Sequence, residues 1–166
     1  MMMIKTSHDS ETPAHKQQVI TACALIHKII RGKQRIFLAK RATTKKFLPG
    51  VFEIPGGHIN FGEDLIAGLK REIKEEFAMD INVGDPFSAF SYINKVKGSH
   101  STQVVFFAKF KTPINEIRLN PEDHSEYIWL AADEMNNILG QDKNNNEHNA
   151  IRKAFQLLKG DGVFTG

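Results

Sequence analysis

Cysteine is nearly absent from this chain, with Cys23 as its single example. One thiol can close no internal disulfide and build no cysteine cluster for zinc, so a reducing compartment is the simplest setting. Long apolar runs are missing too. The longest, Val19 to Ile30, is interrupted by His27 and Lys28 and falls far short of the ~20 residues a bilayer span requires. Residues 1–16 are polar and irregular and contain Pro13. They lack the apolar centre of a secretory signal and read as a loose N-terminal arm. Internal repeats are absent, which argues against a solenoid. No strong charge of one sign is present either: 22 Lys and Arg against 19 Asp and Glu leave a formal +3. Such mild basicity suits a polyanionic ligand and an ordinary soluble surface equally. These absences point to a cytoplasmic protein with no membrane partner.

What is present is enough for one domain. A chain of 166 residues, 41% of them hydrophobic, supports a single core, placed here at 17–160 and followed by a short tail at 161–166. Its densest information lies between Gly57 and Met79, which reads GHINFGEDLIAGLKREIKEEFAM. Helical spacing predicts a helix over Glu63 to Phe77, with Glu72, Glu75 and Glu76 on one stripe. Ile66, Leu69, Ile73 and Phe77 fall on a neighbouring, core-facing stripe. A solvated acidic face is the ordinary explanation of such a helix, but local energetics oppose it. The pairs Glu72 with Glu75 and Glu72 with Glu76 each cost about 0.2–0.5 kcal/mol. They also sit toward the helix C-terminus, where the macrodipole disfavours negative charge. Arg71 offsets part of this, while Gly68 inside the helix costs about 1 kcal/mol more. A bound divalent cation would convert the repulsion into chelation, because hard cations take carboxylate oxygens and leave room for substrate phosphates.

The flanks read as strands and turns. Val19 to Ile30 suits a strand buried on both faces, Arg31 to Gln34 a polar turn, and Arg35 to Arg41 the returning strand of a hairpin. Ala42 to Gly50, with Lys45 and Lys46, is a loop leading to the short run Val51 to Gly57. After the helix, Ile81 to Val83 predicts a short edge strand and Gly84-Asp85-Pro86 a turn. Phe87 to Ile93 and Gln103 to Lys111 follow as two strands, joined by a loop containing His100, which reads as a mobile surface residue. Leu119 to Glu126 is an acidic loop before the strand Tyr127 to Leu130. Asp133 to Leu139 predicts a short helix stopped by Gly140. Asn144 and Glu147 resemble the start of a last helix running to Lys159, with Ile151, Phe155 and Leu158 facing the sheet.

The central stretch resembles the Nudix box. Gly57 is followed by five residues and Glu63, then by seven residues and Arg71-Glu72-Ile73-Lys74-Glu75-Glu76-Phe77. Met79 fills the last aliphatic place. Only Ala78 departs, standing where the family usually has the glycine that ends the helix in a left-handed conformation. That departure concerns the cap and not the carboxylates. Several residue types fixed in spacing over 23 positions make the signal specific, and the wider likeness runs from about Gln18 to Leu158.

The resemblance implies an α/β/α sandwich around a mixed sheet and Mg²⁺-dependent hydrolysis of a diphosphate linkage in a nucleoside diphosphate joined to another group. Mn²⁺ is the natural substitute. It implies Glu72, Glu75 and Glu76, with the Gly56 carbonyl and Glu63, as metal-shell residues, and Arg71 as the group that orients the carboxylates. Glu126, then Glu122, is the expected extra loop carboxylate or general base. Arg41, Lys46 and His124 are expected near the substrate, although an isolated histidine such as His124 ranks first as a surface residue. A nucleoside triphosphate is the default substrate by family frequency. The arrangement of His124, Glu126, Tyr127 and Trp129 also resembles the GDP-mannose hydrolase branch, in which a loop histidine acts as base. A nucleotide-binding module without turnover and an RNA 5′-end pyrophosphohydrolase using Lys45, Lys46, Lys95 and Lys97 are weaker readings. A homodimer remains compatible with the pattern. Signatures of the ADP-ribose and coenzyme A branches are missing or incomplete: no Pro lies near Asn94, and Lys46 and Ile54 replace the expected Arg and Phe.

Overall fold

The computed structural model describes residues 10–160 and 163–166. The first nine residues of the expected arm and positions 161–162 of the expected tail lie outside the described residues. Among the described residues the chain forms β1 (Gln18–Ile30), β2 (Lys33–Arg41), β3 (Phe52–Glu53), β4 (Gly56–His58) and α1 (Leu65–Phe77). These are followed by β5 (Ile81–Asn94), β6 (Ser99–Phe110), β7 (His124–Ala131), α2 (Met135–Leu139) and α3 (Asn146–Leu157). The seven strands make one sheet in the order β3-β2-β1-β6-β5, with β4 also on β1 and β7 also on β2. β1 and β6 run parallel and the other pairs antiparallel, so the sheet is mixed.

Alternation in the central strands builds two cores. Ala22, Ala24 and Ile26 of β1, Phe37 and Ala39 of β2, and Phe106 and Ala108 of β6 point to one face, where Leu69, Ile73 and Phe77 of α1 cover them. Cys23, Leu25, Ile36, Leu38, Val105 and Phe107 point to the other, under Met135 of α2 and Ala150, Ile151, Ala154 and Phe155 of α3. Both faces are therefore buried, which is why β1 reads as a continuous apolar run. The result is the α/β/α sandwich. Phe37 anchors the α1 side, with its ring 5.2–5.4 Å from those of Phe77, Phe110, Tyr127 and Trp129.

One irregularity positions the site. β1 pairs with β2 only from His27 to Ile30, whereas at Thr21–Cys23 its edge is taken by the short β4. The two long strands thus part like a fork, and the glycine turn enters the gap. Gly56 fits there because a Cβ would lie 2.1 Å from the Ala22 carbonyl oxygen.

Several sequence expectations are corrected. Gly84-Asp85-Pro86 is not a turn: β5 runs through it, with register shifts on both sides of Pro86, the local bulging by which a strand tolerates a residue without an N–H. His100 lies in β6, opposite Gln18 of β1 and Ile93 of β5, because the antiparallel pairing with β5 extends β6 back to Ser99. α3 is capped by Asn145, whose side chain accepts from the His148 N–H. Glu147 is drawn across to accept the Ile54 N–H at 2.8 Å. Ile66, placed on the apolar stripe, is 39% exposed, and burial of that stripe starts at Leu69. Residues 10–16 are tied down where a loose arm was expected. The Ala14 N–H donates to Lys97 O and the Lys16 N–H to Gly98 O, while Asn94 Nδ2 donates to the Ser10 carbonyl.

α1 begins at Asp64, whose carboxylate accepts from the Ile66 and Ala67 N–H groups. It ends at Ala78, which adopts φ 56°, ψ 31° and donates its N–H to Lys74 O. The left-handed cap is therefore kept without glycine, at a steric cost of roughly 1–2 kcal/mol. Ala78→Gly is expected to stabilise the protein by about 1 kcal/mol, net of the extra freedom glycine gives the unfolded chain. A urea titration with an unchanged m-value checks this, and a lower midpoint would contradict it.

Candidate active site

Arg71 is the hub of the crowded helix end. Its Nε and Nη2 donate to the two Glu63 oxygens at 2.7 and 2.9 Å, a two-point fork that lysine cannot make. Nη1 donates to Glu72 at 2.8 Å and to Glu75 at 3.1 Å, and Nη2 also reaches the His58 carbonyl at 3.1 Å. One cation thus holds three carboxylates against the backbone of the glycine turn. The costly mid-helix Gly68 is explained here, since a Cβ would lie 2.6 Å from both Glu63 Oε1 and Ile59 Cδ1. Gly57 has the same origin, with its missing Cβ replaced by the Glu72 carboxylate, 2.3 Å from where that carbon would stand.

Burial sets the electrostatics. Removal from water pushes the Glu72 carboxyl up to about 7, although Arg71 pulls the other way. Burial, then the charges of Glu53 and Glu72, also raises Glu76. Glu76 Oε2 has no hydrogen-bond partner, and the nearest imidazole nitrogen, His124 Nδ1, is 4.0 Å away and itself unpartnered. His124 is only 2% exposed, which corrects its ranking as a surface residue. Its ring stacks on Phe77, and its Nε2 lies 2.8 Å from Glu53 Oε1. Glu53 Oε2 accepts from Arg41 Nη1 at 3.2 Å, so Arg41, Glu53, His124 and Glu76 form a row of neighbouring side chains.

These groups border a cavity of about 920 Å³. The loop at its rim is pinned to the end of α1, where the Arg118 and Asn120 N–H groups donate to the carbonyls of Phe77 and Glu76. Of the residues singled out from the sequence, Gly56, Glu72, Glu75, Glu76, Arg41 and His124 line this cavity. Glu63 stands behind Arg71 as its anchor. Glu126 lies elsewhere: it is exposed on β7 and faces Lys40 at 3.6 Å. A register shift opposite Lys40 and Arg41 breaks the alternation between His124 and Glu126, turning the first inward and the second out. Glu122 lines the cavity in its place. Lys46 is exposed and outside, while Lys45 lines the wall, paired with Asp123 at 2.9 Å.

Sequence reasoning missed Glu53 and Glu147. Burial and the Glu53 charge push Glu147 up to about 8. The available signal for Glu53 was an acid between Phe52 and Ile54 in an otherwise apolar strand. Among the described residues no three His, Cys, Asp or Glu side chains already close on one point, and Glu75 is held by Arg71. The donors nonetheless fit a hard divalent cation: all are carboxylates, two are desolvated, and one oxygen is buried without a partner.

A family model described as NUDIX domain matches residues 20–155. A Nudix hydrolase of Nostoc sp. is 27% identical over 114 residues, covering 64% of this chain and 62% of that protein, less than two thirds of its length. An 8-oxo-dGTP diphosphatase of Buchnera aphidicola is 28% identical over 107 residues, covering 64% of this chain and 75% of that protein. In fold, the chain is similar to the crystal structure of a MutT protein from Methanosarcina mazei, with TM-score 0.67 and 21% identity over 89% of this chain and 99% of the other.

Glu72 and Glu147 take up protons in the fold at pH values where the unfolded carboxyls, near 4.5, have released theirs. The folded state then binds more protons, so stability present below about 4.5 is lost as pH rises through about 7 and 8. The metal-free protein is therefore expected to melt at progressively lower temperature across that window, with Mg²⁺ restoring stability most at its upper end. Calorimetry in EDTA and in Mg²⁺ checks this, and a rising Tm in EDTA would contradict it.

Proposed function

The chain belongs to the NUDIX domain family, and from that membership we propose a divalent-metal-dependent hydrolase that cleaves a diphosphate linkage in a nucleoside diphosphate joined to a further group. The nucleoside triphosphate class is favoured, in keeping with the activity named for the Buchnera relative. The observation that carries this reading is the set Glu72, Glu75 and Glu76 on one cavity wall, tied together by Arg71 and partly desolvated.

Glu72, Glu75 and Glu76, with the Gly56 carbonyl, would hold Mg²⁺, or Mn²⁺ in its place. When bound, the cation supplies charge neutralisation and Lewis acidity at the diphosphate oxygens. The protein's own part is positional. Arg71 fixes Glu72 and Glu75, and Glu63 fixes Arg71. Gly57 lets the backbone approach the Glu72 carboxylate. Arg41 and Lys45, paired with Glu53 and Asp123, set the opposite wall. Glu122, on the rim, takes the loop-carboxylate role expected of Glu126 and is the candidate to accept a proton from water.

A second reading has a specific observation behind it. His124 is buried in the cavity wall, oriented by Glu53 through Nε2, with Nδ1 free of partners. That is the base-and-orienter pairing of a general base, and it suits a nucleotide-sugar hydrolase. The products separate the two. Diphosphate cleavage of a nucleotide sugar releases a nucleoside monophosphate and a sugar phosphate, whereas attack at the sugar releases the free sugar and a nucleoside diphosphate.

A panel of NTPs, dNTPs, oxidised dNTPs, nucleotide sugars and dinucleoside polyphosphates with Mg²⁺ or Mn²⁺, read by mass spectrometry, tests the assignment. Glu75→Gln and Glu76→Gln are each expected to leave the protein folded and to lower kcat on the order of 10²-fold or more, as loss of transition-state charge stabilisation does. Wild-type kcat in both variants would overturn the metal-platform reading.

A further inference from the structure

The cavity has a second end that the carboxylates do not reach. Its floor is a stretch of the sheet bordered by the start of α3, and there Thr21 and Cys23 of β1, Gln103 of β6, and Phe90 and Tyr92 of β5 line the wall. The register sets Thr21 and Phe90 on either side of Gln103. Further along the same face, β6 continues with Val105 and Phe107 in the core beneath α3. Gln103 stands between that apolar series and the buried Ser99 and Ser101 that precede it on the same face. It is 8% exposed, and its Nε2 is buried without a hydrogen-bond partner. A buried amide donor left unpaired destabilises a fold, and native structures seldom keep one without a use.

The chemistry of the surroundings defines what would satisfy it. Glu147 of α3 borders this floor, its carboxyl pushed up to about 8 by burial, and the cations on the adjoining walls, Arg41 and Lys45, are already paired with Glu53 and Asp123. Burial keeps the Tyr92 phenol neutral, pushing it up to about 12. Phosphate has nothing to bind here and belongs at the carboxylate end with the cation. A flat, uncharged ring suits a floor flanked by Phe90 and Tyr92.

We propose that Gln103 is a specificity-determining residue, donating its Nε2–H to a ring carbonyl or ring nitrogen of the nucleobase of the substrate. This rests on the nucleotide-hydrolase reading and names the part of that site that reads the base. Gln103 touches the base and not the reacting phosphorus, so its loss acts on binding and leaves the chemical step alone. It also predicts an inverse relation between stability and affinity, because the unpaired amide is a burden to the empty protein and an asset to the complex.

Gln103→Met keeps length and volume without polar atoms, and Gln103→Glu keeps the shape but has no donor when ionised. The purified full chain is compared by Tm without ligand, by KM and kcat on the best nucleotide of the panel, and by affinity for its nucleoside monophosphate and for inorganic pyrophosphate. In Gln103→Met the expected result is an unchanged or higher Tm, a roughly tenfold rise in KM and in the monophosphate Kd, kcat within about twofold, and an unchanged pyrophosphate Kd, the size of one hydrogen bond. Gln103→Glu, assayed at a pH high enough to ionise the buried carboxyl, should show the same loss of base affinity. A fall in Tm of Gln103→Met with unchanged KM and Kd would assign the residue a structural role and overturn the proposal, as would equal weakening of pyrophosphate. If the wild type binds nucleoside monophosphates but hydrolyses no nucleotide, the hydrolase reading fails while the Kd comparison still decides the role of Gln103. A wild type that binds no nucleoside monophosphate overturns both.

Discussion

The guanidinium of Arg71, shared among Glu63, Glu72, Glu75 and the His58 carbonyl, is the interaction on which the rest of the site depends. Three carboxylates on one helix end repel one another, and two of the four acids of the motif are driven from water by the packing of α1 on the sheet. Without a fixed, always-ionised partner the cluster would disperse or protonate. With it, the glycine turn, the loop through Glu63 and the helix end become one rigid unit. The price is visible in the sequence as Gly57 and Gly68, each placed where a side chain would collide with one of these carboxylates or its loop.

The sheet supplies the space that this unit needs. β1 leaves β2 after a short pairing and gives its edge to β4, so the strands open where the helix end arrives. Through that opening the carboxylates of one layer communicate with the opposite face, where α3 brings Glu147 and the floor carries Gln103. The cavity therefore joins two environments. One end is crowded with buried acids and suits a cation with phosphate. The other is neutral, aromatic and polar, and suits a ring. A nucleotide has these two halves in this order.

Much of the fold was legible in advance because it follows from local periodicity. The double-sided burial of β1, the apolar stripe from Leu69 to Phe77 and the stop at Gly140 all rest on spacing that neighbouring residues express directly. Where local signals misled, tertiary contacts had outweighed them. Gly84-Asp85-Pro86 has the composition of a turn, but pairing with β6 keeps it in a strand. Glu147 has the spacing of a capping box with Asn144, yet the Ile54 amide claims its carboxylate. Ala78 lacks the freedom of glycine, and still the helix ends in the left-handed conformation that the following strand requires.

By itself the sequence determined the box: the acids and the arginine of the helix, the turn glycines before it, and the family chemistry that they imply. Those residues lie within a few turns of one another, so fixed spacing is enough to define their relation. Which other groups join them was decided only by tertiary structure. Glu53, His124, Glu147 and Gln103 come from strands and a helix far apart in the chain, and a bulge in β7 chose His124 over Glu126 for the cavity. Their roles depend on burial and on which face of a strand looks inward. Both are properties of packing across the sheet, which no local pattern encodes.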